Sequence, residues 1–204
     1  MRRIPMILVL LAALLIAGGC GQFGKQYKAT DKSATASGRE AVVTKQKFDE
    51  AARKEAGCGD IEDFKSEGQG HTTDVNETVD YKHNPPHSGK HYQVPLDWGL
   101  YDTEQRDVEW VHNLEHGHIV MLYRGLTGKQ RDELYADARI NPYHLVVLPR
   151  KKDPKPGVYY MVWTHQIYCE RPSKAALQYM IKNFRDQGPE LYTTDPSKGD
   201  ASNK

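Results

Sequence analysis

The chain has 204 residues, with 28 basic and 27 acidic side chains and a formal net charge of +1. That balance offers no basic field for a nucleic-acid backbone, and no long like-charge run stands out as a docking tail. A hydrophobic content of 38% suits one domain with a modest core, many loops and flexible ends.

Arg2 and Arg3 form a short basic start, and an apolar run of 13 residues follows from Ile4 to Ile16. Such a run is shorter than the roughly 20 residues of a membrane span and reads as a secretion signal over 1–19. Ala17-Gly18-Gly19-Cys20 resembles a bacterial lipobox, in which the cysteine is acylated and becomes the mature N-terminus. The expected location is therefore the extracytoplasmic face of the cell membrane or outer membrane, with the bilayer as a partner through the lipid on Cys20. Removing 1–19 takes away Arg2 and Arg3 and leaves 26 basic against 27 acidic residues.

Residues 20–43 are rich in Lys, Gln, Ser, Thr, Ala and Gly and read as a tether. The folded domain is expected over 44–192, and the polar tail 193–204 beyond it is expected to be disordered. A first helix is predicted from Thr44 as N-cap, with Phe48, Ala51, Ala52 and Ala56 on one side and Gly57 as its stop. Residues 68–99 are dominated by Gly, His, Asn, Pro and Ser, and a long irregular segment in a small domain is a place for function. Val108–Val111 is a weak strand candidate, followed by a clearer strand from His118 to Tyr123. A helix spans Thr127 to Ala138, with Leu134 and Ala138 facing inward. Strands at Leu145–Pro149 and Val158–His165 follow, and the loop 151–157 between them suggests an antiparallel pair. The last helix starts at Ser173, carries Leu177, Met180, Ile181 and Phe184 at helical spacing, and stops at Gly188-Pro189.

These elements predict an α+β domain: a small antiparallel sheet of three to four strands, two to three helices packed on one face, and a long Pro/Gly/His-rich segment. Cys58 and Cys169 are the cysteines left after Cys20. In an oxidising compartment they are expected to form a disulfide, the rival reading being two thiolate ligands. Trp98, Tyr101, Trp110, Tyr123, Tyr159, Tyr160 and Trp163 are expected to fill a core short of aliphatics.

The histidines are the chemical signal. His112-Asn113-Leu114-Glu115-His116-Gly117-His118 concentrates three of the nine imidazoles in seven residues, and His83, His87 and His91 form a second group upstream. Neutral imidazole is a common ligand for zinc, copper, iron and nickel. If strand begins near His116, then His116 and His118 share a face, with His112 arriving from the preceding turn and His91 or His71 from the irregular segment. Glu115 then ligates the metal or orients a ring. Taken singly, His83, His87, His144 and His165 read as surface or structural residues.

Asn84-Pro85-Pro86-x-Ser88-Gly89-x-His91, Gly99-x-Tyr101 and His112-Asn113-Leu114-Glu115-His116-Gly117 together resemble domain-of-unknown-function family 3105. The likeness runs from about Gly70-His71 to the strand holding Trp163, with the cysteine pair at its ends. His87 and Lys90 occupy variable slots of the first motif. The resemblance implies a small exported or membrane-anchored protein and points to His71, His91, His112, Glu115 and His116, without an established biochemistry.

Three functional readings follow. The first is a histidine-centred site for Cu or Zn, built from His91, His112 and His116 with His71, Glu115 and His118 in support, serving metal handling or delivery. The second is an envelope interaction module with structural histidines and no metal. The third is a zinc hydrolase using His112-x-x-Glu115-His116. It requires a helix where the flanking residues favour strand, so no catalytic residue is assigned.

Overall fold

In the computed structural model the structure describes residues 47–190. The signal segment, Cys20, the tether, Thr44 and the tail 193–204 lie outside them. Among the described residues no helix is long and apolar enough to cross a membrane.

The chain runs α1 (Glu50–Ala56), β1 (Glu62–Asp63), β2 (His71–Thr72), β3 (His91–Tyr92), β4 (Gly99–Leu100), α2 (Asp107–Glu115), β5 (Ile119–Arg124), α3 (Gly128–Ile140), β6 (Leu145–Pro149), β7 (Gly157–Val162), β8 (His165–Cys169) and α4 (Lys174–Phe184). The fold is α+β overall, but the sheet is larger than expected and mixed. Six strands lie in the order β1-β8-β7-β5-β6-β4, and β2 and β3 form a separate parallel pair. β5, β6 and β4 run parallel, while on the other side of β5 the strands β7, β8 and β1 follow, each antiparallel to its neighbour. The reason is the crossover. The connection from β5 to β6 is the helix α3, which returns the chain to run parallel to β5. The loop 151–157 therefore does not join neighbours, since β5 lies between β6 and β7.

β5 and β7 are buried along nearly their whole length because both faces of the sheet are covered. On one face Ile119, Met121, Val147, Tyr160 and Ile167 pack against Leu134 and Ala138 of α3 and against Ala176, Leu177 and Met180 of α4. On the other, Val120, Leu122, Val146, Leu148 and Met161 meet Trp110, Val111 and Leu114. This second covering corrects the expectation of helices on one face. The element responsible is α2, which occupies the stretch where Val108–Val111 reads as a strand. The aromatics fill the core as expected, with Trp110, Tyr123, Tyr159, Tyr160 and Trp163 buried and Trp98 and Tyr101 packed at its margin.

Other boundaries differ in detail. α1 starts after Asp49, whose carboxylate accepts from the Ala52 amide at 3.0 Å, and ends at Gly57 in the left-handed region. α3 has Thr127 as its N-cap and α4 has Ser173, as expected. α4 ends at Phe184 rather than at Gly188-Pro189, and the residues after it turn back over α2. The run Val158–His165 is broken at Thr164, which has φ +60, so His165 opens the separate strand β8. Cys58 and Cys169 form a disulfide, which excludes the thiolate-ligand reading.

Of the histidines away from the motifs, His144 and His165 pair with Asp186 and Asp63. His87 is buried beneath Phe64, with ring centroids 3.6 Å apart, and its Nε2–H donates to Gln166 Oε1 at 3.0 Å. Burial lowers its pKa to about 4, from an ordinary value of 6.5. With the folded value depressed, the stability contribution is complete above pH 6.5 and is lost as pH falls through about 4. The shift corresponds to roughly 3 kcal/mol. Urea titrations of wild type and His87→Gln at pH 7 and pH 4 are expected to show a smaller acid loss in the variant by about this amount. Identical losses would contradict the assignment.

Candidate metal centre

The site is assembled from α2 and the small parallel pair. His112 and Glu115 are three residues apart on α2 and so share a face, with His116 as its C-cap one turn beyond His112. The helix starts where the Arg106 amide donates to Glu109 Oε2 at 3.2 Å. It stops at Gly117, whose φ of +74 permits the turn. A side chain at Gly117 would meet the backbone nitrogens of Gln187 and Gly188 at 2.6 Å, because the segment after α4 crosses the helix end here. From the other side, β2 and β3 pair in parallel with His71 in register with His91. Their rings meet edge to face at 4.6 Å between centroids.

The motif residues around the histidines set this geometry. Asn113 donates to Leu96 O at 2.7 Å and accepts from the Leu96 amide at 3.0 Å, fixing the chain between β3 and β4. Ser88 Oγ accepts from the Glu67 amide at 2.7 Å, drawing the segment before β2 toward β3. Asn84 is held by the Arg150 guanidinium at 2.7 Å, and Arg150 also grips Asp107 at the start of α2. Arg150 is absent from the sequence expectations. A single arginine after a hydrophobic strand gives no signal that its side chain is buried.

The ring nitrogens are committed in a consistent way. His91 Nδ1–H donates to Gly89 O at 2.7 Å, His112 Nδ1–H to Tyr92 O at 2.7 Å, and His116 Nδ1–H to Glu190 O at 3.0 Å. A carbonyl only accepts, so each neutral ring carries its proton on Nδ1 and presents an Nε2 lone pair. Those lone pairs converge. His91 Nε2 lies 2.9 Å from Glu115 Oε2, His71 Nε2 lies 3.4 Å from the same oxygen, and His112 Nε2 lies 2.9 Å from His116 Nε2. His91 Nε2 and Glu115 Oε2 are both buried without a hydrogen-bond partner despite their approach. The ligand atoms of His71, His91, His112 and Glu115 all lie within 4.8 Å of one another, an arrangement that could hold a metal ion.

The protonation states suit coordination. Burial, reinforced by the neighbouring His91 and His116 rings, lowers the His112 pKa to about 3. Burial also lowers that of His116. Burial by itself would raise Glu115, but His91, His71 and His112, whenever one of them carries a proton on Nε2, hold it below the usual carboxylate range. Neutral imidazoles and an ionised carboxylate are the forms that bind metal.

The sequence candidates are thus divided. His71, His91, His112 and Glu115 come together, and His116 adjoins them through His112. His118 does not join the four. Its ring is 6.1 Å from that of His116, stacks on His144 at 4.3 Å, and has Nδ1 3.0 Å from the Asn113 amide nitrogen. The expected shared strand face of His116 and His118 does not exist, because His116 caps a helix and strand begins only at Ile119. The helical form of α2 supplies what the His-x-x-Glu-His reading lacked. Glu115, however, is 1% exposed and turned into the imidazoles, the posture of a ligand or ring-orienting carboxylate.

Fold and site define an α+β domain with a buried histidine–glutamate centre. Residues 72–197 match the family described as "Protein of unknown function (DUF3105)", and the chain belongs to that family. The matched region contains His91, His112, Glu115 and His116, and it begins one residue after His71. No curated protein and no solved structure matches the chain.

Proposed function

We propose that this protein binds a transition metal ion through His71, His91, His112 and Glu115, with His116 beside them, for handling or delivery outside the cytoplasm. The observation that carries the reading is the convergence of acceptors: buried imidazoles with Nδ1 donated to backbone carbonyls direct Nε2 lone pairs at each other and at a carboxylate. Acceptors facing one another at 2.9 Å need positive charge between them, and burial opposes protonation of His112 and His116. Carbonyl hydrogen bonds on the far ring nitrogen are also how metal-binding histidines are oriented.

The donor set of imidazoles and one carboxylate suits Zn(II) or Cu(II) rather than Cu(I), which favours thiolate and thioether. Secretion and acylation at Cys20 remain the reading of the N-terminal segment, supported by a disulfide of the kind that persists in oxidising compartments. On that reading the partners are the bilayer and an envelope donor or acceptor of metal.

Elemental analysis and thermal unfolding test the proposal. One equivalent of Zn(II) or Cu(II) should be retained at pH 7, and ligand at one hundred times Kd should stabilise the fold by about 2.7 kcal/mol. His91→Ala or His112→Ala should abolish most of that gain. If the metal neither binds nor stabilises, the imidazoles serve as hydrogen-bond donors in an interaction module and the metal reading is wrong.

A further inference from the structure

The four candidate ligands are not equally held. His91, His112 and Glu115 are buried, whereas the His71 side chain is 43% exposed. The chain that carries His71 has little packing, since none of residues 57–84 is buried. Its start is fixed by Phe64 on His87, and its far end by Arg106 donating to Val75 O at 2.9 Å and by Lys90 on Glu77 at 2.6 Å. Between these points the ribbon 65–74 is tied to the site mainly by a ladder from below. The amides of Gly89, His91 and Gln93 donate to the carbonyls of Gly68, Gly70 and Thr72 at 3.0, 2.8 and 2.9 Å, and Ser88 adds the bond from the Glu67 amide.

The donors Gly89 and His91 are buried, but the ribbon that accepts from them has no buried residue of its own, and a segment so little supported by apolar burial opens at low free-energy cost. A metal bound to His91, His112 and Glu115 would gain its fourth ligand from this ribbon and add a bond stronger than any in the ladder. We infer that the ribbon 65–74 is a metal-closed flap, with His71 as the exchangeable ligand through which the ion enters and leaves. This rests on the metal reading and adds its regulation: the three buried ligands set binding, and His71 sets the rate of transfer to an external chelating acceptor. The arrangement fits delivery better than permanent structural retention, because the outer ligand can be exchanged without unfolding the core.

The experiment uses Zn(II) alone as the probe and the full chain. Hydrogen exchange at the Gly89, His91 and Gln93 amides should slow when one equivalent of Zn(II) is bound to wild type. In His71→Ala, Zn(II) should still bind, these amides should exchange at their metal-free rate, and loss of Zn(II) to a chromophoric chelator should be faster by roughly tenfold or more, equivalent to 1.4 kcal/mol. Stoichiometric uptake by wild type with unchanged amide exchange, or with equal release rates in the two proteins, would overturn the flap while leaving the metal site standing. Failure of wild type to take up Zn(II) and, in a parallel titration, Cu(II) would overturn both. Because His71 is exposed, its substitution leaves the core intact, which the unchanged far-ultraviolet dichroism of the variant should verify.

Discussion

Reducing the Cys58–Cys169 bridge is expected to destabilise the domain by about 5 kcal/mol. The two cysteines are 111 residues apart, and a cross-link of that span removes a large loop-closure entropy from the unfolded chain. The folded state has little to replace it at this point. Ala56 is the only buried residue of α1, and Phe48 adds one stacking contact with Tyr179 at 5.4 Å. Cys169, by contrast, is fully buried at the end of β8, where it pairs with Val158. Without the bridge α1 should detach while the sheet persists. Urea unfolding of the oxidised protein and of the Cys58→Ser/Cys169→Ser double variant measures the loss directly. A difference below about 1 kcal/mol would show that packing, not the cross-link, holds α1. Since α1 contributes no residue to the histidine centre, the folded double variant should still bind one equivalent of metal.

The bridge was legible in the sequence, and so were the elements whose signals are local. Thr127 and Gln130 form a reciprocal cap on α3, Ser173 caps α4, and Leu145–Pro149 is strand throughout. α2 was hidden because its inner surface is partly polar. His112, Asn113 and Glu115 are all buried, so an apolar count sees only Val108, Trp110, Val111 and Leu114 and misses the period. β1 to β4 are two residues each and carry no alternation at all. The parallel pairing of β5 and β6 was implied by a helix lying between two strands, but the Pro/Gly loop after β6 pointed more strongly to a hairpin. For the site, the motifs located His91, His112 and Glu115. That His71 stands beside His91 depends on a parallel register in which Gly70 and Thr72 supply only carbonyls, and composition does not record register. The shared face expected of His116 and His118 depends on strand periodicity, which fails here because His116 caps α2 and strand begins only at Ile119.

Arg150→Met is expected to cost about 3–5 kcal/mol and to weaken metal binding, although Arg150 touches none of the ligands. Its guanidinium is buried and donates to both Asp107 oxygens, at 2.9 and 3.0 Å, to Asn84 Oδ1 at 2.7 Å and to Asp153, and it lies 5.8 Å over the Trp110 ring. Methionine has a similar apolar stem and spares the core a void, so the loss isolates the charge. Asp153, fully buried, would then lack its cation, and Asp107 would retain only Lys152 at 2.8 Å. Burial already raises the Asp153 pKa to about 6 against the pull of Arg150. Removing the arginine raises it further, so the variant's deficit should shrink as pH falls toward about 6, where Asp153 takes up a proton first in the variant, and level off below it. The double variant Arg150→Met/Asp153→Asn should likewise recover more than about 1 kcal/mol at pH 7, because a buried amide is cheaper than an unpaired carboxylate. The effect on metal follows from what Arg150 connects. Asn84 opens the segment that ends at His91, and Asp107 is the first residue of the helix that carries His112 and Glu115. One guanidinium therefore sets the distance between the two halves of the centre, and at saturating stability in low urea the variant should still show a higher Kd for Zn(II). Wild-type affinity in a destabilised Arg150→Met protein would show instead that the β3–α2 contact positions the ligands without this brace.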